Sequence, residues 1–252
     1  MVQLRAHRGA DSESVSLRLA YLPAVVGCAI HVYFYSVAYR ALGGIDFSLS
    51  GMMVLVSAIL SALFLLGCAF MPIRRLGLLV FPLAAFSLVF AYLWNSEVIV
   101  LEVAGKSMTV HILLSIAAFA LLTIAAVQAL LYLYQDRQFK RRTNPAMLMA
   151  LPPLQTMESL LVKLVTSGFV LLTIALISGA AFSREIFGQA FEFKHHTVLA
   201  LAGWVVFGVL LWQRFKGGLS GHSAAIWVVA GAILLQLGYF GTKFISESLN
   251  IQ

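Results

Sequence analysis

The sequence predicts an all-α protein: a polytopic bundle of about seven transmembrane helices, with the N-terminus in the cytoplasm and the C-terminus outside. Three observations predict it. Hydrophobic residues make up 61% of the 252 and charged residues only 11%, against about 45–50% and about 25% in soluble domains. Seven apolar runs are each long enough to cross a bilayer, which takes about 20 residues. The basic residues gather in alternate loops, as the positive-inside rule requires.

The runs fall at approximately 19–40, 49–70, 76–94, 108–134, 157–182, 194–214 and 222–245. Residues 1–18 are a polar cytoplasmic tail, and 19–252 form a single transmembrane domain. The first run is too long for a signal-peptide core and has no A-x-A-like site after it, so it is a retained helix. The third is short and carries Pro82, which predicts a kink. The fifth follows Pro152-Pro153 and opens amphipathically with Glu158 and Lys163, so its first turns belong in the interface.

With seven spans, the tail and the loops at 71–75, 135–153 and 214–221 share one side. Arg5, Arg8, Arg18, Arg74, Arg75, Arg137, Lys140, Arg141, Arg142, Arg214 and Lys216 all fall there. That side is the cytoplasm, and the formal charge of +7 is topological rather than a nucleic-acid footprint. The longest basic loop, 135–153, reads as an orientation signal, with a docking site for a partner or anionic lipid as the alternative. Cys28 and Cys68 lie inside apolar runs with no metal or redox spacing, so they read as small buried residues.

An ionisable residue at membrane depth is a functional hypothesis by default. His111 lies three residues into its inward-running span, near the outer surface. The adjacent pair His195 and His196 sits at the outer rim of the sixth span. His31 lies roughly 13 Å below the outer face at about 1.5 Å per residue. His222 opens the last span on the cytoplasmic side, and His7 lies in the tail. Imidazole is the commonest metal ligand, and two imidazoles on facing helices can hold a haem iron axially. A ligand histidine also needs an acceptor for its other ring nitrogen. Ser107 and Ser115 lie a turn from His111; Gly27, Cys28 and Tyr35 share the face of His31, where Gly27 permits close approach of a flat ring or another helix. The alternative is that a rim histidine is simply a polar residue at headgroup level. Gln128, Thr123, Thr173 and Gln236 read as interhelical hydrogen-bonding groups, and Trp94, Trp204, Trp212 and Trp227 as interface or packing residues. There is no nucleophile–base pair, P-loop or H-E-x-x-H motif.

Four segments carry a resemblance: SGFVLLTIALISGAAF (167–182), GWVVFGVLLWQR (203–214), GGLSGHSAAIWVVAG (217–231) and LGYFGTKF (237–244). With VHILLSIAAFALLTIAAVQALL (110–131) they resemble the cytochrome c assembly membrane family of the CcsA type, and the front part GCAIHVYFYS is similar to its more variable helices. The resemblance implies a bacterial inner-membrane protein that binds a non-covalent b-type haem through histidines at the outer face and within the bundle. On it, His111 matches the outer-face histidine and His31 an intramembrane one. The family's tryptophan-rich haem-presenting loop, W-x-W-D-P-K-E-T-W, aligns with FEFKHHTVL (191–199), where Phe191, Phe193 and Lys194-His195-His196 stand instead. A further histidine of the assembly enzymes falls near Trp212 and is missing, and another has no counterpart in ISESLNIQ.

These departures argue against cytochrome c synthase activity. They are similar to a divergent, HemX-like branch in which an N-H-K-T-like segment replaces the tryptophan motif. Members usually have eight helices, so the first is expected to be missing here, as a misplaced start codon would cause. The resemblance thus implies haem trafficking or control of haem supply, without substrate turnover. His111 and His195 are the expected axial ligands, with His31 and His196 as further candidates. The expected partners are haem, a membrane or periplasmic component of the assembly pathway, and the lipid bilayer, with no nucleic acid. The alternative is a haem-free regulatory or accessory subunit that scaffolds a partner protein. A transporter is weaker still, because no broken helix pair, inverted repeat or buried acid is evident.

Overall fold

A computed structural model of the chain describes residues 2–94, 96–101, 105–141, 152–187 and 195–248. The long helices are α1 (Val2–Leu42), α2 (Leu49–Phe70), α3 (Gly77–Leu93), α4 (Gly105–Arg141), α5 (Leu154–Phe187), α6 (His195–Phe215) and α7 (Gly221–Gln236). The last continues through a π-helical turn, Leu237–Gly241, into α8 (Thr242–Ser248). Seven helical stretches are long and apolar enough to cross a membrane, and they coincide with the seven runs of the sequence. The two-residue strands β1 (Ile45–Asp46) and β2 (Val100–Leu101) pair antiparallel in the outer loops. Such short pieces leave no periodicity for a sequence to show.

Local chemistry explains most boundaries. Ser48 caps α2, its hydroxyl accepting the Gly51 N–H, the usual work of an N-cap serine. A short 3-10 turn, Arg74–Leu76, leads into α3, which runs on through Pro82. The α5 helix begins at Leu154, directly after Pro152-Pro153 and a few residues before the apolar run suggested. Proline fixes φ near the helical value, so a prolyl pair is well suited to start a helix. Helix α1 takes in the polar residues 2–18 as well as the apolar span and contains Pro23 near the start of that span.

Helix α4 lies at the centre, packed against α5, α7 and α2, while α6 packs on α7 and both α1 and α3 rest on α2. Lipid is as apolar as a helix side chain, so helices in a bilayer associate by close contact and interhelical hydrogen bonds rather than by expelling water. Helix α4 supplies close contact through Ala118, Ala120, Ala125 and Ala129, none of them accessible. Leu122 lies against Gly168 of α5, where an added Cβ would come within 2.7 Å of its side chain. The main core gathers Phe64, Leu122, Ile124, Leu161, Val165, Phe207 and Val228. A second one, toward the outer side, gathers Ile45, Met52, Leu55, Ile112 and Ile116.

The intramembrane polar residues are spent on interhelical hydrogen bonds, as the sequence suggested. Gln128 Nε2 donates to the Met157 carbonyl (3.0 Å), Gln236 Nε2 to Thr123 Oγ1 (3.0 Å) and Trp204 Nε1 to Thr173 Oγ1 (2.9 Å). They join α4 to α5, α7 to α4 and α6 to α5.

The loops sort into two groups. On one side Asp136 meets His222 and Lys140, and Glu158 pairs with Arg214. On the other, Glu247 accepts the N–H of Leu49 (2.6 Å) and the hydroxyl of Ser96 (2.8 Å). An odd number of spans requires these groupings, and the charge distribution makes the first side cytoplasmic.

Candidate functional site

His111 lies two turns into α4 on the outer side, and its ring is directed at α5. Its Nδ1 lies 2.8 Å from Ser178 Oγ. Ser178 is itself hydrogen-bonded to the Ala175 carbonyl at 3.0 Å. A hydroxyl has one proton. With that proton given to Ala175, Ser178 accepts from His111 Nδ1–H, and the basic lone pair of the imidazole sits on Nε2. Next to Ser178, Gly179 has no side chain; a Cβ there would lie 3.1 Å from His111 Cε1 and 3.5 Å from Nε2. The serine thus sets the tautomer and the glycine makes room for the ring edge. Ser115, expected to support the ring, donates instead to the His111 backbone carbonyl (2.8 Å), because a residue four positions on meets the carbonyl before the side chain.

His31 repeats the arrangement on other helices. It is 8% exposed, and its Nε2 lies 3.4 Å from Ser57 Oγ on α2. Ser57 is bonded to the Val54 carbonyl at 3.0 Å, so by the same count it accepts from Nε2–H and leaves the lone pair on Nδ1. His31 lines a cavity of about 540 Å³ between α1, α2 and α3, reaching from Gly27 up to Asp46. No described residue closes on Gly27: a Cβ there would meet nothing within 4 Å.

Among the described side chains, His111 and His31 turn to different helices, His111 to α5 and His31 to α2. His196 is exposed in the first turn of α6, where its carbonyl lies 3.5 Å from the Cβ position of Gly238. His195 begins α6; its side chain and residues 188–194, including Phe191, Phe193 and Lys194, lie outside the described residues. The linker 142–151 and residues 249–252 do too. Among the described residues no three His, Cys, Asp or Glu side chains assemble as a metal cage. His222 belongs elsewhere: its Nδ1 lies 2.8 Å from Asp136 Oδ2 at the cytoplasmic end.

Sequence reading missed Ser178, Gly179 and Ser57. Each lies in an apolar run, and a serine's partner on another helix leaves no local pattern.

Seven spans, two polar caps and histidines braced by serines in the outer half define a multi-pass membrane protein. The chain belongs to the cytochrome c assembly family, described as "Cytochrome C assembly protein", which it matches over residues 21–250. It is similar to the inner membrane protein YpjD of Escherichia coli K12, at 31% identity over 240 residues, covering 92% of this chain and 88% of that protein. An uncharacterized 28.8 kDa protein of Azospirillum brasilense is 32% identical over 145 residues, 58% of this chain and 54% of the other. The cytochrome c biogenesis protein CcsA of Prochlorococcus marinus (strain MIT 9303) is 33% identical over 96 residues, 38% of this chain and 30% of its own. No solved structure matches. The chain is accordingly a multi-pass protein of the bacterial inner membrane, related to cytochrome c biogenesis.

Proposed function

We propose that the protein binds haem in the outer half of the membrane and handles it for cytochrome c biogenesis, without turning over a substrate. The observation that carries this reading is the bracing of His111: Ser178 takes Nδ1–H, which leaves the imidazole lone pair on Nε2. Metal-ligating histidines almost always donate their other ring N–H to a fixed acceptor, which sets the tautomer and orients the ring. This bracing supports a non-covalent, b-type haem, which His111 would hold through Nε2. His195, at the start of α6, is the proposed second ligand, with His196 beside it and His31 as a further candidate.

Haem supplies an iron whose redox and ligand chemistry are its own; the chain supplies position. Ser178 holds the imidazole plane, and the surrounding helices keep water away from it. The aromatic pair Phe191 and Phe193 stands where relatives of the synthase type carry tryptophans, which favours holding or passing haem over attaching it.

The test is an absorbance spectrum of the protein purified in mild detergent and supplied with haem. A Soret band is expected that His111→Ala abolishes or shifts, while His222→Ala, at the cytoplasmic end, leaves it unchanged. No band, or the same band in His111→Ala, sinks the assignment.

A further inference from the structure

The cavity between α1, α2 and α3 carries its charge at one end only. Its sides are apolar, through Ile30 and Phe34 of α1 and Leu88 and Ala91 of α3, with His31 turned to α2. The outer end holds Tyr39, Asp46 and Ser50 and is roofed. Asp46 Oδ1 accepts the backbone N–H of Ser48 (2.9 Å) and of Ile99 (3.2 Å), and Oδ2 accepts the Ser48 hydroxyl (2.9 Å). The β1–β2 pairing joins the two outer loops, and Glu247 ties both Leu49 and Ser96 to the last helix. Gly51 lets this roof sit low, since a Cβ there would collide with the Asp46 carboxylate.

A carboxylate can accept about four hydrogen bonds, so one acceptor position, on Oδ2, is left at the head of the cavity. Among the described residues Asp46 has no ion-pair partner. Lys243 lies over the Phe47 ring (5.8 Å) and interacts at longer range with both Glu247 and Asp46. Two acids against one cation leave the roof negative.

Toward the membrane no closure exists among the described residues. Phe34 on α1 is 66% exposed and Tyr92 on α3 is 86% exposed. Only 6% of the apolar span of α1 is buried, against 39% for α4 and α5. At this depth an exposed apolar side chain faces lipid. The lining runs along α1 from Gly27 to Leu42, roughly 22 Å at 1.5 Å per residue. One leaflet supplies about half of a hydrocarbon layer about 30 Å thick, so the slot is long enough for a lipid chain that starts at the roof.

We propose that the cavity holds one lipid of the outer leaflet, an aminophospholipid with its ammonium group on Asp46 and one acyl chain laid along α1 toward Gly27. Charge selects the head. An ammonium supplies both the donor that Oδ2 lacks and the positive charge that the roof lacks, whereas an anionic head would meet a carboxylate with no cationic side chain in the lining. Its phosphate stays at the level of Tyr39 and Tyr92, where membrane proteins commonly place tyrosine. The open side selects the body, because a slot continuous with the bilayer fills with an apolar chain without passing through water. The volume, about 540 Å³, lies within the range of roughly 300–1,000 Å³ typical of small-molecule sites. Bound there, the lipid completes the packing of α1, which the protein itself leaves loose. The site needs no haem and is independent of the reading above.

The full chain, purified in mild detergent, is titrated with phosphatidylethanolamine or with phosphatidylglycerol of identical chains, and retained lipid is counted by native mass spectrometry. One retained phosphatidylethanolamine per chain is expected, held about threefold more tightly than phosphatidylglycerol, the scale of a partly exposed ion pair. Asp46→Asn, which keeps an acceptor for the N–H groups of Ser48 and Ile99, is expected to make the two lipids equal. Gly27→Phe overfills the inner end and is expected to weaken retention of both about tenfold. Ala91→Phe does the same from α3 and repeats the test if the first variant misfolds. Equal retention of the two lipids by the unsubstituted protein overturns the proposal, as does a preference that survives Asp46→Asn. Lipids retained without a fixed number and unchanged in both filled variants are an annular coat only, which overturns it too. If Asp46→Asn does not fold, phosphatidylcholine, whose ammonium has no N–H, takes its place: weaker retention than phosphatidylethanolamine is expected, and equal retention overturns the contact with Asp46.

Discussion

The back of the bundle, α4 to α7, and the first helix at its front, α1, are built to different standards of packing. In the back, glycines meet large side chains at the limit of contact. A Cβ at Gly231 of α7 would lie 2.8–3.0 Å from three atoms of the fully buried Phe207 ring of α6, and one at Gly203 would lie 2.9 Å from Leu235. Three helix pairs there, α4–α5, α4–α7 and α5–α6, are also clamped by a side-chain hydrogen bond. In the front, α1 is held to α2 by the longer His31–Ser57 bond, and Gly27 faces open space. The difference teaches where a ligand can go. Dense packing leaves His111 braced at a tight helix contact, whereas loose packing leaves His31 beside a cavity. A bilayer tolerates the loose half because its exposed apolar faces are solvated by lipid.

The strongest way to break this contrast is to add the same side chain to both halves. Gly231→Val is expected to cost about 3 kcal/mol, the upper range for overpacking. Gly27→Val should stay within about 0.5 kcal/mol, as for a substitution in open surroundings. Denaturant titration of both variants in detergent measures the pair, and equal losses would erase the distinction.

The next contrast compares the two braces. Ser178→Ala should lower haem affinity at His111 about 10–100-fold, the usual cost of losing an outer-shell partner. Ser57→Ala should lower affinity at His31 by a smaller factor, because a 3.4 Å bond orients its ring less firmly than one of 2.8 Å. Haem titrations of the two variants give the ratio, and a larger loss for Ser57→Ala would reverse the ranking.

Glu247→Ala tests the roof, which ties front to back. The carboxylate caps the N–H of Leu49 at the start of α2, so its removal should cost about 1 kcal/mol, as for a lost N-cap. Amide exchange at Leu49 should quicken, with no change in the α4–α5 contact. Unaltered exchange there would show that the roof closes without Glu247.

Smallest is Gln236→Leu, which removes one clamp between α7 and α4. Interhelical hydrogen bonds in membranes average about 0.6 kcal/mol, so its unfolding midpoint should shift only slightly. A loss several times larger would mean that the polar clamps, rather than glycine contacts, hold the back together.

Much of the architecture was legible in the sequence. The number and place of the spans and the use of Gln128, Thr123, Thr173 and Gln236 between helices all correspond to what the structure contains. At the candidate site, the spans that carry His111 and His31 were legible and their supporting residues were not. Ser115 and Ser107 were the obvious neighbours by helical spacing, yet Ser115 bonds to backbone and the ring turns to Ser178, 67 positions away. Gly27 was legible as a small residue beside His31, but the emptiness around it was not.

By itself, then, the sequence determined length, order and sidedness. Apolar length is a local property that the bilayer thickness converts into spans, and loop charge converts into orientation. Only the tertiary structure decided which face of each helix turns inward. In water a hydrophobic stripe would mark that face; in lipid both faces are apolar, and the choice rests on glycine and alanine contacts between residues far apart in the chain. Ser178 under His111, Ser57 under His31 and the slot between α1 and α3 all follow from that choice.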